Sequence, residues 1–417
     1  MYTFTRTADE DQDCELTNGG MNGMPWSRIR EKTIDHTKVT ILGAGHAGRG
    51  IASYLSIHGF EISLYNRTIE NVKGIIDRGG IDAHGIIEGF APIKLVTDDI
   101  AAAINGRNIL IITVPAQAHP FFAETMGPYL KSEQAVLLMP GRTGGALEFA
   151  RILKLNSFTD DILLGEAQTF SFVSRTTGPD SVLISSIKNS VRISAFPASL
   201  NRRMLKSLKR LPLAFELADD VMETSLNNMG AMLHPAPTIL CAGLLESRQG
   251  GHNHYHEGIS KTVGHLVERM DAERVRVAQK FLAHPVCLLE WLKNTYDAKG
   301  NTLYECLRSI DTYDRVGSPS SLEHRYVLED IPTGLVPISY LGTLAGIETP
   351  AIDAVINIAC QLYRRDFWHR GRNLESLGFK GLNLSEIKEY VQTGVLPDDY
   401  SSIQEMLGSL DLEVDER

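Results

Sequence analysis

The chain has 417 residues, 43% hydrophobic and 22% charged, which is the composition of an ordinary globular protein and a length that favours two domains. Its 41 basic and 51 acidic residues leave a net charge of −10, which argues against binding nucleic acid or anionic membranes through bulk charge. Cys14, Cys241, Cys287, Cys306 and Cys360 are scattered without metal-ligand spacing, so we expect reduced thiols in the cytoplasm, with no disulfide framework and no metal site.

Residues 1–37 are acidic and lack the apolar segment of a secretory signal, so they read as an N-terminal extension without an assigned function. No apolar run approaches the roughly 20 residues needed to cross a bilayer. Order begins at Lys38. KVTILGAG is a short apolar strand ending in glycines, and GRGIASYLSIHG has helical spacing. EISLYN is a second strand and TIENVKGIIDRGG a second helix. This alternation predicts a parallel sheet with helices on both faces. IDAHGIIEGFAPIKLVTDD breaks the pattern and reads as a β-hairpin inserted into the sheet. ILIITVP and AVLLMPG are fully apolar, as buried parallel strands are, and the β-rich character continues through SVLISSIKNSVRISAFPAS. After about residue 220 the text turns helical, starting with METSLNNMGAMLHPAPTILCAGLLES. The expected division is an extension over 1–37, a Rossmann-type dinucleotide-binding domain over 38–220, and an all-α domain over 221–417.

Gly43, Ala44, Gly45, His46, Ala47 and Gly48 spell GxGxxG where a strand ends and a helix begins. There the first glycine permits the turn, the second admits a pyrophosphate, and the third lets helix and strand pack closely. The second strand ends at Asn66, Arg67 and Thr68. NAD-specific folds place a carboxylate here, and this chain offers an amide and a guanidinium, so NADP(H) is favoured over NAD(H). Val114 and Pro115 end a further strand on the edge where such sheets bind ligand, and are assigned to the cofactor. On the same edge the glycine-rich turn PGRTGG offers Thr143 or Arg142 as a substrate contact.

Reduction of a carbonyl or imine needs a proton-handling group near neutral pH, and histidine suits it. His234 follows Asn227 and Asn228, and Pro235 disturbs the helix just after it. The cluster His252, His254 and His256 lacks a helical metal spacing and reads as a polar loop. Arg325, Glu329 and Asp330 lie within six residues, a spacing that a solvated helix end also satisfies.

LGAGHAGRG, AMLHPAP and above all EHRYVLEDIP resemble the opine dehydrogenases of the octopine and nopaline type, over most of the chain from Lys38 onward. The resemblance implies a 6-phosphogluconate-dehydrogenase-like helical domain closing over the cofactor. It implies that His234 and Asp330 form a catalytic dyad and that Arg325 holds a substrate carboxylate. It implies small-molecule partners, an amino acid and an α-keto acid, and leaves a homodimer open. Tyr255 and Gly258 match a Tyr-x-x-Gly stretch of that family, read as structural.

The implied reaction is reductive condensation of the amino acid with the α-keto acid through an imine, using NADPH. Two alternatives stay open. A ketopantoate-reductase-like enzyme would reduce a keto acid alone, with a lysine such as Lys261 or Lys280. A non-catalytic dinucleotide-binding protein would need no dyad.

Overall fold

Short runs of apolar side chains build the central sheet. β1 (Lys38–Leu42), β2 (Glu61–Tyr65), β5 (Leu95–Thr97), β6 (Ile109–Ile112), β7 (Ala135–Leu138), β8 (Leu163–Ala167), β11 (Val191–Phe196) and β12 (Phe215–Leu217) align in the order β12-β11-β8-β7-β6-β1-β2-β5. All pairs are parallel except β11 with β8. β6, β7 and β8 are buried along their whole length, which explains why their sequences read as continuous apolar runs. The computed structural model describes residues 37–397 apart from 133, 159–161 and 250. Residues 1–36, nearly all of the expected extension, lie outside the described residues.

The expected hairpin is present but is not inserted into this sheet. β3 (Gly80–Gly85) and β4 (Gly89–Pro92) join β9 (Phe172–Gly178) and β10 (Ser181–Ile187) in a second sheet, ordered β4-β3-β10-β9. From buried Phe172 onward β9 alternates half-buried and exposed residues, so this sheet packs through one face. That face covers helix α1 (His46–Ile57), where Gly50 leaves room for Ser174. The partner of β3 is β10, about a hundred residues on, a pairing that local periodicity does not reveal.

Helices α1 and α2 (Gly145–Leu155) flank the central sheet. Strands end at Leu217, and Asp220 then caps α3 (Val221–Leu226) through the Met222 and Glu223 amides. METSLNNMGAMLHPAPTILCAGLLES is not one helix but four short ones: α3, α4 (Met229–Leu233), α5 (Pro235–Leu240) and α6 (Ala242–Arg248). The breaks fall at Asn227–Asn228, at His234 and at Cys241, the second because Pro235 and Pro237 supply no amide to the preceding turn. The long α7 (Lys261–Phe281), capped by Ser260, and α8 (Leu288–Tyr296) follow. α9 (Arg325–Leu328), a π-helical turn (Ile331–Leu335) and α10 (Val336–Leu344) then carry the charged stretch into the core. No described helix is long and apolar enough to cross a membrane.

The two halves are stitched by buried polar groups. Glu166 on β8 accepts from the Thr224 and Ser225 hydroxyls of α3 and from the Ala146 amide of α2. Buried Arg372 donates to the carbonyls of Gly141, Thr143 and Ala116 and pairs with Glu148 at 2.8 Å. These bonds hold the turns after β6 and β7 against the helical half.

Candidate active site

The glycine-rich turn has the shape its spacing predicts. Gly43 adopts a φ of +110°, and a Cβ on Gly48 would stand 1.8 Å from the Gly43 carbonyl. At Gly45 a Cβ would meet nothing within 4 Å, so this face of the turn is open. The amide end of α1 points there, a setting that favours a pyrophosphate. Ala44 donates its amide to the Asn66 side chain at 3.3 Å, and Asn66 donates to the Thr68 carbonyl. The end of β2 therefore holds a neutral amide, with Arg67 exposed beside it and packed over Phe121. Val114 abuts Gly43, and Pro115 precedes the turn bearing Ala116. His46 accepts the Thr176 amide at Nδ1, and Ala47 opens α1 behind it.

His234 sits at the break between α4 and α5, with 11% of its side chain accessible. Its Nδ1 lies 2.7 Å from Asp330 Oδ2. The Tyr326 ring stacks on the imidazole at 4.0 Å between centroids, with 11° between planes. Burial, the larger influence, pulls His234 below its ordinary pKa, while Asp330 pushes it up. Burial raises Asp330, but Arg142 and then His234 overcome it and hold the carboxyl at about 2. The resting pair is a neutral imidazole donating from Nδ1 to a carboxylate, which leaves Nε2 with a lone pair.

Asp330 is shared. Arg142 Nη1 lies 3.2 Å from its other oxygen, Oδ1, as an ion pair without hydrogen-bond alignment. The same guanidinium grips Glu329 through Nε and Nη2, both at 3.3 Å. Burial opposes the charge on Arg142, and the two carboxylates hold it in place. Glu329 also accepts the Ala116 amide at 3.0 Å, linking the dyad to the turn after Pro115. Arg142 and Asp330 therefore form a buried ionic centre behind His234. Sequence reasoning raised Arg142 only as a substrate contact and assigned Glu329 no part. The available signal was an arginine inside a glycine-rich turn, where it adopts a φ of +61°.

The remaining expected residues fall on both sides of the centre. Arg325 is 42% exposed, 5.3 Å from the Tyr326 ring and 3.5 Å from Glu329. Its charge adds to the influences that lower the pKa of both His46 on the glycine-rich turn and His234. Thr143 is different. It is fully buried, donates its hydroxyl to the Ser225 carbonyl and its amide to Thr333, and is not open to a substrate here. It is a tie between the halves.

The histidine loop packs beside the dyad. His254 Nε2 meets the Leu233 carbonyl at 3.3 Å, and burial pulls its pKa down to about 3. His252 meets the Ser318 hydroxyl and His256 the Leu307 carbonyl. Tyr255 stacks on Tyr313, and Gly258 fits against the His254 carbonyl. Among the described residues no group of three His, Cys, Asp or Glu side chains is placed to hold a metal ion.

Comparison with known proteins fits this arrangement. Residues 217–363 match the family described as NAD/NADP octopine/nopaline dehydrogenase, alpha-helical domain. Residues 38–147 match the NAD-dependent glycerol-3-phosphate dehydrogenase N-terminus. The chain is 35% identical over 360 residues to an opine dehydrogenase from Arthrobacter sp. (strain 1C), covering 86% of this chain and all of that one. It is 22% identical over 357 residues to the vitopine synthase of Allorhizobium ampelinum, covering 83% of this chain and 97% of that one. Its fold is similar to octopine dehydrogenase solved with NADH and L-arginine (TM-score 0.69, 19% identity, 86% of this chain and 98% of that one). It is also similar in fold to yersinopine dehydrogenase bound to NADP+ (TM-score 0.66, 16% identity, 85% and 98%).

Proposed function

The chain belongs to the opine dehydrogenase family and is an NAD(P)-dependent oxidoreductase acting on CH–NH donors; from that premise we propose that it joins an amino acid to an α-keto acid, with a preference for NADP(H). The observation that carries the reading is the 2.7 Å contact of His234 with an Asp330 that Arg142 keeps ionised.

The open face at Gly45, the amide end of α1 and Asn66 fit a dinucleotide. When bound, the reduced cofactor supplies the hydride that turns an imine into a secondary amine. Arg67 is free to face a 2′-phosphate, and no carboxylate at Asn66 repels one. That pair supports NADP(H).

His234 moves protons at Nε2. Protonated, it helps the carbinolamine lose water, and neutral, it accepts the proton of the attacking amine. Asp330 fixes the tautomer through Nδ1 and stabilises the imidazolium when it forms. Arg142 keeps Asp330 ionised inside the protein. Tyr326 covers one face of the ring and limits its motion. Arg325 pairs with the keto-acid carboxylate. We assign residues 38–220 to cofactor binding and 221–417 to catalysis, with the change at the Asp220 cap. Four free cysteines among the described residues suit a reducing compartment, and we place the protein in the cytoplasm.

The two lysines named for the keto-acid reductase reading do not support it. Lys261 is exposed over Tyr304, and Lys280 is exposed near the end of α7. The deciding experiment follows NADPH oxidation with keto acids alone and with keto acids plus amino acids. Oxidation that requires both, with a secondary amine dicarboxylate found by mass spectrometry, supports the reading. Equal rates with keto acid alone overturn it.

A further inference from the structure

We propose that Lys188 is the carboxylate anchor for the amino-acid co-substrate, in a cavity of about 680 Å³ between the end of β8 and the α7–α8 connection. This rests on the condensation reading above. Gln168, Asn227, Leu282, Val286 and Trp291 line the cavity with Lys188. The cavity has the size of a small-molecule site and sets an apolar wall of Leu282, Val286 and Trp291 against a largely polar lining that includes Glu216, Asp219 and Glu223. Gln168 donates to the Asn227 carbonyl at 2.9 Å, which joins one wall to the segment leading into α4 and His234. Arg142 is the charged group that acts on both Lys188 and the dyad.

The argument is an accounting of cations. A condensation product carries two carboxylates on either side of its secondary amine, so its site needs two cationic partners. Arg325 is 42% exposed and shares Glu329 with Arg142 at the longer distance of 3.5 Å, which leaves it able to turn to a ligand. Arg142 is consumed by Asp330 and Glu329. Arg372 is consumed by Glu148 and by backbone carbonyls. Arg192, on the cavity rim, is paired with Glu223. Lys188 donates to the Thr169 hydroxyl at 2.8 Å and, among the described residues, has no carboxylate within ion-pair distance. An ammonium carries three donors, so two remain.

Even half-buried, such a group is costly without a counter-charge. Burial first, and Arg142 second, pull Lys188 down to about 8. A bound carboxylate reverses both effects by supplying the missing charge and filling the open donors. The amino-acid side chain then lies against Leu282, Val286 and Trp291.

The test compares each amino acid with the amine that lacks its carboxylate: L-leucine with 3-methylbutylamine, and L-phenylalanine with 2-phenylethylamine. Binding to the NADPH-loaded protein is measured by calorimetry, and KM by NADPH oxidation with pyruvate. Lys188→Met should weaken the preferred amino acid about 10- to 100-fold, the weight of one charge-assisted bond. Its affinity for the matching amine and its KM for pyruvate should stay as in the wild type, and Lys188→Arg should recover part of the loss. The anchor is overturned if Lys188→Met leaves amino-acid binding unchanged, weakens acid and amine alike, or raises the KM for pyruvate instead. It is also overturned if the wild type binds neither amino acid. Lys188-dependent amino-acid binding without amine-dependent NADPH oxidation would keep the anchor and defeat the condensation reading.

Discussion

His234 Nδ1 and Asp330 Oδ2 meet at 2.7 Å although 96 positions separate the two residues in the chain. Burial holds the imidazole neutral near neutral pH, and Arg142 and His234 hold the carboxyl ionised against its own burial. The pair is therefore set as a base at rest and becomes an acid after it takes a proton.

That state gives the pH profile a sign. In the oxidative direction, neutral His234 is the base that the free enzyme needs. kcat/KM for a secondary amine dicarboxylate should rise with pH through a pKa below the ordinary 6.5 and level off above about pH 7. Asp330→Asn removes a charge that raises this pKa, so the rising limb should move to lower pH. The plateau should fall by about 10²–10⁴-fold, because the tautomer is no longer held. A limb that moves to higher pH would contradict the assignment.

Arg142 is the counter-charge of two buried carboxylates. Arg142→Met leaves Asp330 with only the His234 imidazole and Glu329 with only the more distant Arg325 and the Ala116 amide, and should lower stability by about 3–5 kcal/mol in urea denaturation. The loss should shrink on acidification, as Asp330 takes up a proton. A loss below about 1 kcal/mol at neutral pH, the scale of an exposed pair, would show that the clamp is not formed in solution.

The glycine turn separates folding from cofactor binding. A Cβ at Gly45 meets no protein atom within 4 Å, so Gly45→Ala should melt like the wild type and bind NADPH more weakly. A Cβ at Gly48 would overlap the Gly43 carbonyl at 1.8 Å, so Gly48→Ala should lower the melting temperature as well. Thermal melts and NADPH titrations of the two variants check this, and equal melting temperatures would contradict it.

Cofactor choice should follow Asn66 and Arg67. Arg67→Gln should reduce the NADPH-over-NADH ratio of kcat/KM by about 10- to 100-fold, the range of one charge-assisted contact. Asn66→Asp should push the ratio the same way by repelling the 2′-phosphate. An unchanged ratio in both variants would place phosphate recognition elsewhere.

Local pattern made some of this legible and left the rest hidden. The first strand, glycine turn and helix could be read because strand period, turn chemistry and helix period act over a dozen residues. His234 and Asp330 became a pair only through family resemblance, since nothing near AMLHPAP calls for a carboxylate. The hairpin at β3 and β4 was visible, but its docking on β10 was not, because strand pairing at long range leaves no local trace. Arg142 illustrates the same limit. Its turn stood out, but its partners Glu329 and Asp330 lie on the far side of the chain, 187 residues on in the case of Glu329. The burial of Thr143 was hidden because a hydroxyl in a glycine-rich turn looks the same in sequence whether it faces solvent or, as here, a carbonyl of α3.

The most direct test of the account is turnover of His234→Asn in the amine-dependent reaction, with NADPH affinity measured in parallel. Proton transfer by a placed side chain contributes about 10²–10⁴-fold, so kcat should fall by that factor while NADPH binding stays nearly unchanged. Near-normal turnover would contradict the account and return His234 to the role of a core histidine.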